Sequence, residues 1–313
     1  MAALATRITK GQAGDRIARL VVFAFATMVL LVTATLFFQL WTASAPTRHA
    51  AGFAFLWSKS WNPVTEEFGA LPFLYGTVVS SMLALLIAVP LGLGAAIFLS
   101  ELAPVRISNG LTFLIELLAA IPSVIYGLLA LFTIVPLMRQ TIEPFLKSAL
   151  GFLPFFRGPV FGVGMLTAAV VLAVMSVPFI ISVSRESLLA VPREQREAAL
   201  ALGATRWEAT WQVVTYAKLG IFGSIFLALA RALGETMAVT MVIGNDPKIS
   251  ASWFAPAYTI AAVIANEFSE ATGLIYQSAL IEVGLILFCL TILIHAVARL
   301  LIFTTARKGS QRP

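Results

Sequence analysis

The sequence predicts an all-α integral membrane protein with six transmembrane helices. Of its 313 residues, 59% are hydrophobic and 12% are charged, whereas soluble domains are roughly 45–50% apolar and about 25% charged. The apolar residues also form blocks, each long enough to cross a hydrocarbon core about 30 Å thick as a helix. Because only short loops join these blocks, we expect a single transmembrane domain.

Six apolar blocks are the predicted spans of this domain, which covers residues 20–304. Short tails, 1–19 and 305–313, flank it. The blocks are residues 20–41, 71–99, 111–137, 161–183, 219–243 and 276–303.

The distribution of Lys and Arg predicts the orientation of the spans. An even number of spans places both ends of the chain on one side of the membrane. The tails and loops of that side hold thirteen basic residues, against six in the loops of the other side. Because basic loops face the cytoplasm, both termini are predicted to be cytoplasmic. The same distribution accounts for the net charge of +6 without a nucleic-acid partner, since the sequence shows no basic face interleaved with aromatic residues.

The first block has an alternative interpretation as a cleaved secretory signal. Four basic residues precede it, and Ala43-Ser44-Ala45 follows it in the manner of a cleavage site. However, its apolar run exceeds the roughly 7 to 15 residues of a signal peptide. We therefore expect it to remain as the first span.

The longest predicted cytoplasmic segment, residues 185–218, lies between the fourth and fifth spans. Pro192 suits the first position of a helix, and acidic Glu194 and Glu197 suit its early turns. Gly203 then interrupts the run of helix formers. A helix, a glycine turn and a second helix form a projection that fits a groove on another protein.

Part of this segment resembles the coupling segment of the permeases of ATP-binding-cassette (ABC) importers. In that family Glu-Ala-Ala is followed by three residues and Gly, and the matching positions here are Glu197, Ala198, Ala199 and Gly203. The family pattern ends in Ile-x-Leu-Pro. Val213 takes the place of Ile, but Thr215 and Tyr216 stand where Leu and Pro are usual.

The resemblance implies the type I ABC importer permease fold, with a separate ATPase that docks on the coupling segment. ATP and Mg would then be bound by that partner, and this chain would bind no cofactor. The sequence agrees, because it lacks the G-x-x-x-x-G-K-[ST] loop that cradles nucleotide phosphates. A transport subunit without its own ATPase site is therefore expected, not an enzyme.

A charged pair lies inside the fifth block. Arg231 is about 18 Å along the predicted helix from Leu219, near the middle of a bilayer. An arginine there costs roughly 2.5–3.5 kcal/mol on insertion scales, so it should face protein or water and have a partner. Glu235, four residues on, would share its helical face and neutralise it. A structural ion pair is one interpretation. The other is an anion site, because the planar guanidinium suits a tetrahedral oxyanion such as phosphate.

The surrounding residues resemble the phosphate-specific transport permeases. The run from Arg231 to Val239, followed by Gly244-Asn245, is closer to the PstC type of permease than to the PstA type. Further matching motifs cover residues 61–63, 69–72, 76–77 and 121–123. The resemblance implies that Arg231, Glu235 and Thr236 belong to the translocation path in a bacterial cytoplasmic membrane. It also implies a PstA-like permease partner, two PstB-like ATPase subunits, and a periplasmic or lipid-anchored phosphate-binding protein.

Three further residues are secondary candidates for the path, namely Glu116, Glu282 and Ser123. The sequence shows no catalytic triad, paired-carboxylate site or metal-ligand cluster, so neither a catalytic site nor a metal site is predicted. Two alternative functions stay open. One is a permease for another oxyanion, such as sulfate or molybdate. The other is an ion-coupled carrier or channel in which Glu116, Arg231 and Glu235 form a charge relay.

Overall fold

Six helices in the computed structural model are long and apolar enough to cross a membrane. The structure describes the backbone of residues 2–310 and the side chains of residues 14–304. The spans are Gly14–Ala43, Leu71–Leu102, Ser123–Leu150, Met165–Leu189, Arg206–Gly234 and Leu274–Thr304. The predicted all-α class with six transmembrane helices is confirmed.

The first helix, α1 (Ala2–Ala43), lies at the edge of the bundle. None of the residues in the most apolar window of its span is buried within this chain. Apart from contacts of its end with the short helix that follows it, the described part of α1 packs along the last helix, α14, described below, where Phe37 and Phe288 have ring centroids 5.9 Å apart. Its remaining apolar surface is therefore available to lipid or to another subunit.

A small cap follows α1 and is built from α2 (Ala45–Ala51), α3 (Ala54–Trp57) and a hairpin of β1 (Trp61–Asn62) and β2 (Glu67–Phe68). The two strands are antiparallel, with Trp61 opposite Phe68. The Trp61 indole packs edge-on against Phe73, and its N–H donates to Glu267 Oε2 at 2.8 Å. These contacts fix the cap to the start of the second span and to the short helix Ile260–Glu267, which precedes the sixth span.

The core of the bundle is the packing of α4 (Leu71–Ile97) along α9 (Met165–Leu189). The first helix of this pair ends in a π-helical turn, Phe98–Leu102. The close approach depends on Gly92, because a Cβ there would lie 2.7 Å from Ile180 Cγ2. Alanine and other small residues let the two backbones approach elsewhere along the pair, and α9 is the most buried of the spans.

The third apolar block differs from its prediction. Instead of one span over 111–137, the structure has α5 (Val105–Ala119), a break at residues 120–122, and a span that starts at Ser123. Pro122 explains the break, since it has no backbone N–H and disfavours helical geometry at the residue before it. The span itself consists of α6 (Ser123–Leu129), α7 (Val135–Leu137) and α8 (Glu143–Leu150), joined by the π-helical turns Ala130–Ile134 and Met138–Ile142.

The fifth block is also interrupted. The short helix α10 (Arg193–Ala201) precedes α11 (Arg206–Gly234), which begins well before the predicted residue 219 and ends inside the predicted span. After a break at Glu235 and Thr236, α12 (Met237–Val242) completes the block. The chain then returns through α13 (Ile260–Glu267) to α14 (Leu274–Ser310). The remaining short element is a 3-10 turn, Pro154–Phe156.

Candidate functional site

Arg231 and Glu235 do not form the predicted ion pair. Such a pair needs a continuous helix, but α11 ends at Gly234 and Glu235 has extended geometry, with φ −69° and ψ 125°. The carboxylate turns forward instead, and its Oε1 accepts a hydrogen bond from Ala238 N at 3.4 Å. Glu235 therefore caps α12 and does not neutralise Arg231.

Arg231 is an exposed residue in the last turn of α11. Among the described side chains, ion pairs join Arg48 to Glu282, Arg196 to Glu101, and Lys248 to Asp246, so Arg231 takes part in none of them. The carbonyl end of a helix stabilises a nearby cation, which helps α11 to hold this charge. The guanidinium keeps its donors free for an anion or for another subunit.

The break after Arg231 lies beside α6, which follows the break at residues 120–122. Helix α12 packs on α6 so closely that a Cβ on Gly127 would lie 2.6 Å from Met241 Sδ and 3.0 Å from Ala238 Cα. On α6, the hydroxyl of Tyr126 donates to Leu118 O at 2.7 Å across the break at residues 120–122. Two interrupted spans are thus brought together at one place.

Two other residues predicted to line the path, Ser123 and Thr236, lie next to the breaks in these spans. Thr236 stands in the break after α11, where its hydroxyl donates to Gly234 O at 3.3 Å. Ser123 is the half-buried first residue of α6, one helical turn before Gly127. The packed pair of α6 and α12 therefore carries Ser123 and Thr236 in the same region as Arg231. Irregular backbone within a span is tolerated only where it is buried in protein or lines a water-filled cavity.

The end of the predicted motif reverses the chain after α12. Gly244 has φ +94°, which favours glycine, and it pairs with Ala257 in the returning strand-like segment. Asn245 donates from Nδ2 to Thr240 O at 2.9 Å, and its buried Oδ1 has no hydrogen-bond partner. The Gly-Asn pair thus closes the end of the interrupted fifth block that follows α12.

Glu116 and Glu282, the other two ionisable candidates for the path, lie outside the pair of α6 and α12. Glu116 is exposed on α5, which packs against α9. Glu282 of α14 binds Arg48 of α2 at 3.1 Å, and the same guanidinium stacks over Trp41 at 3.8 Å. The structure therefore does not place Glu116, Arg231 and Glu235 in a connected relay.

Residues 185–218 contain the helix, turn and second helix predicted for the coupling segment. Gly203, with φ +87°, forms the turn after α10. A capping box starts α11, in which Glu208 accepts from Thr205 N at 2.7 Å and Glu208 N donates to Thr205 Oγ1 at 3.4 Å. Thr215 and Tyr216 lie inside α11, so the helix continues through the position where the family pattern has a proline.

The surface of this segment is open. Helix α10 has no buried residue, and Glu197 and Ala198 are exposed while Ala199 is half-buried. Large apolar side chains are exposed around it, namely Leu200, Leu202, Trp207 and Trp211. Clusters of this kind mark contact sites for proteins or membranes.

Sequence reasoning missed two polar groups. One is the ion pair of Arg196 and Glu101, which joins residues far apart in the sequence and therefore has no local signal. The other is Glu143, a fully buried acid whose Oε2 accepts from Gly162 N at 3.1 Å and whose Oε1 has no hydrogen-bond partner. An acid inside a span is a functional signal, but residue 143 lay beyond the predicted end of the third block. The described side chains contain no group of three His, Cys, Asp or Glu residues that could hold a metal ion.

Comparisons with known proteins show the family to which this chain belongs. The model of the family described as "Binding-protein-dependent transport system inner membrane component" matches residues 88–305. The "Phosphate transport system permease protein PstC" of Mesorhizobium japonicum is 49% identical over 293 residues, which cover 92% of this chain and 90% of that protein. The proteins of the same description from Pasteurella multocida and Haemophilus influenzae are 47% and 46% identical, over 92% and 89% of this chain and 91% and 90% of their own lengths.

Solved structures support the fold. An inward-facing structure of the MetNI methionine ABC transporter, from its native crystal form, aligns with a TM-score of 0.51 at 18% identity. The alignment covers 75% of this chain and 94% of that chain. The predicted type I ABC importer permease fold is thereby confirmed. The chain belongs to the binding-protein-dependent transport system inner-membrane components, and is a multi-pass transport subunit of the cytoplasmic membrane.

Proposed function

We propose that this chain is the membrane-spanning permease subunit of an ATP-driven importer of inorganic phosphate. The observation that carries the proposal is the identity of 46–49% to proteins described as phosphate transport permeases, over about nine tenths of the chain. The free guanidinium of Arg231 supports it, because a planar fork of donors binds a tetrahedral oxyanion in a bidentate way.

The site suggests how phosphate would pass. Arg231 would bind the anion at the interrupted region between α11 and α12, with Thr236 as a neighbouring hydroxyl donor. Glu235 would act as a cap that holds the break open, and its negative charge beside the path would keep binding weak enough for release. Since Arg231 has no ion pair among the described side chains, an anion would not have to displace a carboxylate from it.

The proposal includes a complex. A PstA-like permease would complete the path as a heterodimer, and two PstB-like subunits would bind ATP and Mg and dock on residues 185–218 from the cytoplasm. A phosphate-binding protein would deliver the anion at the outer face. Both termini would then be cytoplasmic. The open surface of α10, with its exposed apolar side chains, supports this docking.

Substrate competition in a reconstituted complex tests the proposal. The chain is assembled in liposomes with its PstA-like, ATPase and binding-protein partners, and uptake of labelled phosphate is measured with excess sulfate or molybdate outside. We expect phosphate uptake to continue in both cases. Uptake that sulfate or molybdate suppresses would assign the permease to another oxyanion.

A further inference from the structure

The position of the coupling helix α10 depends on one side chain. The helix has no buried residue, and it packs against the start of α11, the helix that follows it in the sequence. Arg196 and Ala199 are its only half-buried residues, and the other members of α10 are exposed. Alanine offers a single methyl group to this contact. The polar contacts of Arg196 must therefore supply most of the attachment of α10 to the membrane-spanning helices.

Arg196 makes four hydrogen bonds. Its Nε and Nη2 donate to the two carboxylate oxygens of Glu101 at 2.9 Å and 2.7 Å. Its Nη1 donates to Val191 O at 2.8 Å, and Nη2 also donates to Leu188 O at 3.0 Å. The bidentate pair fixes orientation as well as distance, and its hydrogen bonds hold the pKa of Arg196 above the ordinary value. The pair is shielded from water, because the Glu101 side chain is only 6% exposed.

The partners of Arg196 lie at the ends of two membrane-spanning helices and in the short connection before α10. Glu101 lies in the π-helical turn that ends the second span, and such turns are frequent at functional sites. Leu188 lies at the end of α9. The same end of the second span is also held by Ser108, whose hydroxyl donates to Leu99 O at 2.7 Å and accepts from Arg185 Nη2 at 3.3 Å. The guanidinium therefore ties α10 to the two helices that form the core of the bundle.

We propose that Arg196 is a positioning residue that transmits movement of the coupling helix to the second span through Glu101. The inference rests on the proposed function, in which an ATPase moves α10. Because α4 and α9 pack together along their lengths, a push on α10 would move them as one body. Without the guanidinium, α10 would keep its connection through the chain but lose its rigid contact with the second span.

The ratio of phosphate transported to ATP hydrolysed tests this role. Initial rates of both are measured in the same proteoliposomes for Arg196→Gln, Glu101→Gln and the charge swap of Arg196→Glu with Glu101→Arg. Either single variant should lower the ratio by at least about fivefold, the lower end of typical coupling effects, and the charge swap should restore a large part of it. A contribution to folding alone would lower the amount of complex but leave the ratio unchanged.

Arg48→Gln is a matched control for the ratio. The pair of Arg48 and Glu282 has a similar exposure, 22% and 11% against 23% and 6% for Arg196 and Glu101, but it joins α2 to α14. The ratio for Arg48→Gln should equal that of the native chain. If Arg196→Gln also kept the native ratio, or if it lost the ATPase subunit during purification, the assigned role would be wrong.

A distance measurement tests the link without reference to the substrate. Cys289 is the only cysteine, so Cys289→Ser provides a background for spin labels at Leu91 of α4 and Glu194 of α10, both exposed. In the assembled complex, the mean distance between the labels should be the same with and without ATP. The distribution of distances should become broad when Arg196→Gln is added. A distance that changes with ATP while Arg196 is present would overturn the inference, whatever anion is carried.

Discussion

At the residue scale, Arg231 is the side chain whose environment differs most from its prediction. The sequence places Glu235 at the spacing of a helical ion pair, yet the helix ends between the two residues and the carboxylate caps α12. The guanidinium of Arg231 is exposed and forms no ion pair among the described side chains. The free guanidinium is therefore better explained by an anionic ligand than by stabilisation of the helix.

Replacing Arg231 should reduce phosphate uptake strongly. Hydrogen bonds to charged groups contribute about 1.5–3 kcal/mol, so Arg231→Ala should lower kcat/KM for uptake by roughly 10- to 100-fold. Arg231→Lys should retain part of the activity, because it keeps the charge but loses the bidentate geometry. Initial uptake rates in proteoliposomes over a range of phosphate concentrations provide the measurement.

Arg299→Ala provides the control for this prediction. Arg299 is also an exposed arginine within a span, on α14, but it lies outside the pair of interrupted spans. Its replacement should leave the uptake kinetics close to native. Equal losses for both variants would mean that Arg231 contributes only a general positive charge.

Leu202 is predicted to contact the ATPase. It is 90% exposed in the turn after α10, where the coupling segment would enter a groove on the partner. Leu202→Glu places a charge in that contact and should weaken ATPase binding by about tenfold or more, as for a buried interface residue that costs over 1.4 kcal/mol. Retention of the ATPase subunit by the purified permease in detergent measures this effect.

Val64→Glu is the matched control for Leu202. Val64 is equally exposed, at 91%, but lies in the turn of the hairpin at the opposite end of the bundle. It should leave ATPase retention unchanged. If Leu202→Glu also had no effect, the docking surface would have to lie away from the turn at Gly203.

At the element scale, the packing of α6 on α12 holds the two interrupted spans together. Gly127 allows this contact, since a Cβ there would lie 2.6 Å from Met241 Sδ. Gly127→Val should force the helices apart and destabilise the chain by roughly 1–3 kcal/mol, the usual cost of overpacking. The midpoint of thermal unfolding in detergent should fall, and phosphate uptake should fall with it.

Gly94→Val separates this effect from a general effect of valine in a helix. Gly94 lies within α4, and a Cβ there would have no heavy atom within 4 Å. Its replacement should change the unfolding midpoint much less. A similar fall for both variants would show that the contact of α6 with α12 is not close enough to matter.

The elements also show why apolar patterning predicts spans better than it predicts breaks. Residues 111–137 and 219–243 are apolar throughout, so hydropathy alone predicts one helix in each. Pro122 was a local signal for the first break, but Glu235 carries no such signal, because glutamate is an ordinary helix former. After the second break, α12 packs against α6, a contact between distant residues that the sequence does not reveal.

At the scale of the whole molecule, the sequence predicts the class, the number of spans and the form of the coupling segment. Composition and block length are sufficient for the first two, and the order of Pro192, Glu197 and Gly203 is sufficient for the third. Contacts between distant residues could not be predicted, among them Arg196 with Glu101 and Gly127 with Met241. They depend on how the spans pack, which local patterns do not determine.

The orientation of the chain is a prediction at this scale. In a Cys289→Ser background, a cysteine at Ala201 of α10 should react with a membrane-impermeant maleimide only after the cells are opened. A cysteine at Ser269, which is exposed between α13 and α14, should react in intact cells. The reverse pattern would place the termini outside and would contradict cytoplasmic docking on residues 185–218.

The most direct test of the account is the dependence of phosphate flux on ATP. Liposomes that contain the complete complex, with ATP enclosed on the ATPase side, are compared with liposomes that lack ATP, the binding protein or this chain. We predict that labelled phosphate accumulates only when all three are present. Flux that continues without ATP would contradict the account, since it would make the chain a carrier or channel and not the permease of an ATP-driven importer.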